Sequence, residues 1–195
     1  MKHSNHRVFL LQLFFFAASC AWAQSIEEVL RKSRALAAKK NFSDAQSLVQ
    51  EALKRFPDDH DLHVMEGRLW AYTRAFDKAN EKIAWMQSRW PHDLDVSSLA
   101  CDVAYWSEDY KQLLSACQLL LDLSPENAEA YFRMAVAYFE LQQYEEAKLA
   151  VDDAIDLDPS HAMALQLQIM IEEELLKNAV SINYRYYRFN RIFSD

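Results

Sequence analysis

The sequence predicts an all-α chain: a solenoid of four helix-turn-helix repeats, closed by a capping helix and followed by a short strand-like C-terminal tail. Three observations carry this expectation. Among 195 residues, 51% of them hydrophobic, there is one glycine, Gly67, and four prolines. Helices joined by short polar connections are therefore favoured, and turns that need positive φ should be nearly absent. The prolines, Pro57, Pro91, Pro125 and Pro159, stand 34, 34 and 34 residues apart, the length of one helical hairpin in a repeat array. Small and apolar residues then recur at helical spacing in phase with the prolines.

The first element, residues 1–23, reads as a secretory signal peptide. Lys2 and Arg7 precede an apolar run from Val8 to Ala18, and Ala21 and Ala23 supply the small residues of a cleavage site, so the mature chain should begin at Gln24. The run is too short for a transmembrane helix. Ala17 stands where a lipoprotein signal wants leucine, so cleavage after Ala23 is expected rather than lipidation of Cys20. Removing Lys2 and Arg7 from 21 basic residues leaves 19 against 29 acidic ones, a net charge of −10. A body that acidic repels phosphate backbones and anionic lipid, so nucleic acid is not expected as a partner.

With proline at position 32, the repeats occupy residues 26–59, 60–93, 94–127 and 128–161. Position 8 holds Ser33, Gly67, Cys101 and Ala135, and position 20 holds Ala45, Ala79, Leu113 and Ala147. Small residues there let two helix backbones approach closely. Position 17 is aromatic throughout: Phe42, Phe76, Tyr110 and Tyr144. Each proline ends a second helix, because it lacks an amide and disfavours helical geometry in the residue before it. Glu27, Asp61, Asp95 and Glu129 at position 2 then sit in the first turn of the next helix, where the dipole favours them. A capping helix is expected over 162–178, with Leu165, Ile169 or Leu167, and Leu175 or Leu176 covering the last repeat.

These residues resemble the tetratricopeptide (TPR) repeat. GRLW (Gly67 to Trp70) fits the G-x-x-Y part of its pattern, and YFRMAVAY (Tyr131 to Tyr138) fits its first helix. The resemblance covers residues 26–161 and, with the capping helix, implies a solenoid over 24–178. Departures are Lys32 and Leu36 in the first repeat and Ser97, Ala104 and Leu113 in the third.

Chemistry is sparse. One glycine permits neither a phosphate-cradling loop nor a dinucleotide fingerprint, and no cofactor or catalytic site is expected. DDHDLH (Asp58 to His63) offers carboxylates and two imidazoles, a conceivable metal chelate, but reads more simply as a connection and helix start. Cys101 and Cys117, at positions 8 and 24 of one repeat, are expected as two buried thiols filling small core sites; a bridge would need Cα atoms within about 7 Å.

The TPR resemblance implies a concave groove lined by the first helices, chiefly at positions 2, 5, 9, 12 and 13. Its central part would offer Val64, Arg68, Tyr72, Ser98, Asp102, Tyr105, Trp106, Phe132, Val136 and Phe139. Tyr, Trp and Arg carry most interface energy, so a protein or peptide segment is the expected ligand. Arg34 and Arg68 at position 9 imply a preference for acidic groups.

Residues 179–195 break from this pattern. NYRYYRFNRIF (Asn183 to Phe193) interleaves aromatic residues with Arg185, Arg188 and Arg191, and INYRY alternates as a strand does. EGRLWAYTRAFDKA (Glu66 to Ala79), CDVAYWSEDY (Cys101 to Tyr110) and the junction from Asn178 to Asp195 are similar to the N-terminal TPR region of YaiO-type outer-membrane proteins. That resemblance implies an exported, non-enzymatic scaffold at the periplasmic face of the outer membrane, with the tail as a first barrel strand or as a strand pairing with another protein's sheet. The alternative is a free periplasmic adaptor for an export or exopolysaccharide assembly.

Overall fold

The computed structural model describes the backbone of residues 26–193 and the side chains of residues 26–181. The expected signal peptide lies outside the described residues. The elements are α1 (26–38), α2 (Phe42–Arg55), α3 (His60–Tyr72), α4 (Phe76–Arg89), α5 (Leu94–Trp106), α6 (Tyr110–Leu123), α7 (Ala128–Glu140), α8 (Tyr144–Leu157) and α9 (Ala162–Phe193), with no strand among the described residues. The chain divides into two compact units, one ending at Lys82 and one beginning at Ile83.

The helix boundaries follow from local chemistry. Helices α2, α6 and α8 end two residues before Pro57, Pro125 and Pro159. The residue two after each proline then caps the next helix: the side chains of Asp59, Asp93 and Asn127 accept from the amides of Leu62, Val96 and Ala130 at 3.0, 2.9 and 3.0 Å. His161 does the same for α9, its Nδ1 accepting from the Ala164 amide at 3.2 Å. Such caps satisfy amides that have no carbonyl within the helix.

The turns inside the repeats correct one expectation. Lys40, Arg74, Glu108 and Gln142, all at position 15, have φ of 60°, 58°, 59° and 60°, so each repeat contains the left-handed residue that the scarcity of glycine argued against. The reason is the helix end itself. In the second repeat the Arg74 amide donates to Ala71 O and the Ala75 amide to Trp70 O, both at 2.9 Å, and the fourth repeat does the same through Gln142 and Gln143. This pair of bonds closes the last helical carbonyls and requires a left-handed residue between them. A side chain there costs roughly 1–2 kcal/mol relative to glycine. Gln142→Gly is therefore expected to stabilise the protein by up to about 1 kcal/mol, once the greater freedom of glycine in the unfolded chain is subtracted. A lower melting temperature for this variant would contradict that account.

In the first unit, Leu30, Ala45, Val49, Ala52, Leu62, Met65 and Leu69 form a buried cluster edged by Val29, Leu36, Phe42 and Phe56. In the second, the small positions do as their size dictates: Cys101, Ala135 and Ala147 have no exposed surface, and neither does Leu113. Cys101 and Cys117 are joined by a disulfide with Cα atoms 5.0 Å apart. The expected pair of separate thiols is thus corrected: the close approach of α5 and α6 that small side chains permit also brings the two sulfurs within bonding reach.

Two further corrections concern α9. Ala164, Leu167 and Ile171 are buried and Leu175 is half-buried, while Leu165, Ile169 and Leu176 are exposed, so of the expected covering residues Leu167 and Leu175 face the last repeat and Leu165 does not. The segment is apolar on two sides, which makes its period ambiguous. The strand-like tail is also replaced: α9 runs as one helix to Phe193. No glycine or proline follows Pro159, so extending an existing helix fixes one more residue per added hydrogen bond, whereas a lone strand has no ladder to join.

Candidate functional site

In the first unit, α1, α2 and α3 enclose a pocket of about 450 Å³ lined by Arg34, Ala37, Ala38, Lys40, Phe42, Met65, Arg68 and Tyr72. Its position follows from the repeat: Arg34 and Arg68 occupy the same place on successive first helices, and the left-handed Lys40 turns the chain at the pocket edge. Phe42 and Tyr72 meet with ring centroids 6.1 Å apart. The pocket has three cations and no carboxylate, on a chain where acidic residues outnumber basic ones by 29 to 21. An apolar floor with positive groups at its side suits a segment that carries a carboxylate next to a hydrophobic side chain, since guanidinium groups bind carboxylates in a planar two-point contact.

Of the residues expected here, Arg68 and Tyr72 line the pocket and Val64 is buried in the core at 6% exposure. Lys40, Phe42 and Met65 were absent from the expected set. Position 17 had marked Phe42 as a packing residue, and nothing in the sequence placed Lys40 in a turn beside it.

In the second unit, the expected residues are divided between a surface and an ion-pair network. Arg133 on α7 pairs with Asp102 on α5 and, at 2.8 Å, with Glu129 one turn before it. Its guanidinium also lies 5.3 Å from the Tyr105 ring centroid and donates to Cys101 Sγ at 3.8 Å. Glu129 in turn meets His161 Nε2 at 3.2 Å, and the His161 ring lies 4.7 Å from that of Phe132. Asp102 is therefore occupied in joining α5 to α7, and Phe132 is buried at 4% exposure. Ser98, Tyr105, Trp106, Val136 and Phe139 remain half-buried, with Phe139 edge-on to Tyr144 at 5.6 Å. Arg133 went unread in the sequence, because its main partner lies 31 residues earlier.

The DDHDLH stretch is structural. Asp59 caps α3, His60 Nδ1 lies 2.9 Å from Asp61, and His63 Nε2 lies 2.8 Å from the Pro57 carbonyl, which accepts its proton. No group of three or more metal-ligating side chains converges among the described residues. Burial pushes the His63 imidazole below the ordinary histidine value, and the Lys82 charge adds to this; the Pro57 bond, Glu66 and Asp59 act against it. A histidine held neutral in the fold stabilises fully above its unfolded value near 6.5 and loses that contribution as pH falls below it. Stability is thus expected to fall between pH 7 and pH 5, before the carboxylates Glu28, Glu51 and Asp158, each held below the ordinary range by a hydrogen-bonding neighbour, begin to protonate. Denaturant melts of His63→Gln over that range should show the slope flattened; an unchanged slope would assign it elsewhere.

Models of the tetratricopeptide repeat match residues 30–84 and 128–161. Among solved structures, MamA (41-end) from Desulfovibrio magneticus RS-1 is 18% identical, with a TM-score of 0.69 over 87% of this chain and 97% of that one. A crystal structure of MamA protein is 15% identical, with a TM-score of 0.67 over 81% and 86%. YrrB, described as a TPR protein with an unusual peptide-binding site, is 20% identical, with a TM-score of 0.60 over 69% of each chain. At these identities the likeness shows the fold: an all-α tetratricopeptide-repeat solenoid.

Proposed function

We propose that this tetratricopeptide-repeat chain is a non-catalytic interaction scaffold of the bacterial cell envelope that holds an acidic peptide or protein segment. The observation that carries the reading is the first-unit pocket, with Arg34, Lys40 and Arg68 beside Phe42, Met65 and Tyr72 and no acidic residue among its lining. Within the second unit, the half-buried Tyr105, Trp106, Val136 and Phe139 are a contact surface in their own right. The peptide-binding site named for YrrB supports the same use of the fold.

The envelope location rests on the leader-like residues 1–23 and on the acidic remainder. The helical course of α9 to Phe193 supports the free periplasmic adaptor over attachment through a barrel strand. Amino-terminal sequencing of the protein from a periplasmic fraction should begin at Gln24; an uncleaved cytoplasmic product would overturn the location.

Binding is tested by fluorescence anisotropy with a labelled peptide of alternating Glu and Leu and its Gln counterpart. The acidic peptide should bind at least tenfold more tightly, about 1.4 kcal/mol, with the difference shrinking as salt is added. Equal affinities would contradict the assignment of the pocket.

A further inference from the structure

The first-unit pocket has a counterpart two repeats further along the chain. A shift of 68 residues, twice the repeat length, carries Arg34, Lys40, Arg68 and Tyr72 onto Asp102, Glu108, Val136 and Glu140. Three cations thus become two carboxylates and a valine, and the tyrosine becomes a third carboxylate. Ala37 and Ala38, whose small side chains line the hollow, are replaced by Tyr105 and Trp106. The same place on the repeat is therefore a cationic hollow in the first unit and an acidic, aromatic surface in the second.

This surface already holds one guanidinium. Arg133, at the place of Met65, pairs with Asp102 and lies 5.3 Å from the Tyr105 ring centroid, so a carboxylate and an aromatic face together accommodate a planar cation here. Glu108 and Glu140 take no part in that pairing. Both are exposed, and neither forms an ion pair among the described residues. They act on one ring nevertheless: burial raises the Tyr110 phenol above its ordinary value, and the charges of Glu140 and Glu108 add to this, followed by Tyr105. Tyr105, Trp106 and Tyr110 are half-buried, so part of each remains accessible to a ligand that approaches the two carboxylates.

On the reading of Tyr105 and Trp106 as a contact surface, on which this inference rests, we propose that the second unit receives an arginine-bearing segment of a partner protein, its guanidinium meeting Glu108 and Glu140 beside those rings. Exposed carboxylates alone hold a cation weakly, because water screens the charge. Aromatic faces next to them add a contact that favours guanidinium, whose flat, weakly hydrated group stacks where a neutral amide gains little. The two units thus select opposite charges through one position of the repeat.

Fluorescence anisotropy with a labelled peptide of alternating Arg and Leu, and with its citrulline counterpart of the same shape and no charge, tests this. The arginine peptide should bind at least tenfold more tightly. Glu108→Gln with Glu140→Gln should remove most of that preference and leave helicity and melting unchanged, since both residues are exposed and a glutamine, Gln142, already occupies the place equivalent to Glu108. Asp153→Asn with Asp156→Asn changes the net charge equally at exposed positions of α8 and should keep the preference within twofold. Equal affinities for the two peptides, or equal losses in the two double variants, as diffuse attraction to an acidic chain would give, would overturn the proposal. The peptide of alternating Glu and Leu, measured on the same samples, keeps the two sites apart: its failure to bind would contradict the first-unit pocket, whereas failure of the arginine preference contradicts this surface.

Discussion

Replacing both Cys101 and Cys117 by alanine is expected to lower the unfolding free energy by about 3 kcal/mol, the loss predicted for opening a loop of this size. The bridge spans 16 residues and ties the two helices of the third repeat together at positions with no exposed surface. For a chain of this length each kcal/mol moves the melting temperature by roughly 2–4 °C, so a fall of about 6–12 °C should be read by calorimetry. Alanine leaves only a small void and no buried hydroxyl, which keeps the lost cross-link as the main effect. The same repeat supplies Asp102, which holds Arg133 beside Cys101, so loosening α5 against α6 should also loosen that network. An unchanged melting temperature, together with two free thiols by mass, would return the cysteines to the role of separate core residues.

Reversing charge in the first-unit pocket is the second large effect. Arg34→Glu with Arg68→Glu exchanges two of the three cations for anions at the site proposed for a carboxylate. Like-charge contacts then oppose the ligand, so affinity for an acidic peptide should fall by more than tenfold, above 1.4 kcal/mol. Arg34 is exposed, so Arg34→Glu alone should weaken binding with little change in melting and separates recognition from folding. Tyr72→Ala removes the aromatic wall and should weaken acidic and neutral peptides alike. A double arginine variant that keeps both its fold and its affinity would place recognition outside this pocket.

Much of the fold was legible because its signals are periodic and local. The prolines phased the repeat, and position 8 required small side chains wherever two helix backbones meet. The misreadings are of another kind. Lys40, Arg74, Glu108 and Gln142 take up a left-handed turn that their residue types do not announce; the carbonyls at the helix end dictate it. The tail was read from a short alternation around INYRY, while the absence of any glycine or proline beyond Pro159 carried more weight. The disulfide could not be inferred from positions 8 and 24, since bonding needs a separation that sequence spacing does not state.

Two of the residues expected in the groove line the proposed pocket. Arg68 and Tyr72 lie on its wall, yet Val64 and Phe132, taken as groove residues by their position numbers, face the core. Position numbers specify which helix face a residue occupies, but a few tens of degrees of rotation decide between lining and burial. Asp102 lost its expected role to Arg133, a partner one repeat away that neither residue type nor local spacing reveals.

The pocket formed by α1, α2 and α3 is proposed to receive a carboxylate-bearing segment. The most direct measurement is a titration of the isotope-labelled protein with the acidic Glu-Leu peptide, followed by amide and side-chain resonances. Shifts concentrated at Arg34, Lys40, Phe42, Arg68 and Tyr72, and absent with the Gln peptide, are the predicted result. Shifts centred on other helices, or none at saturating peptide, would contradict it.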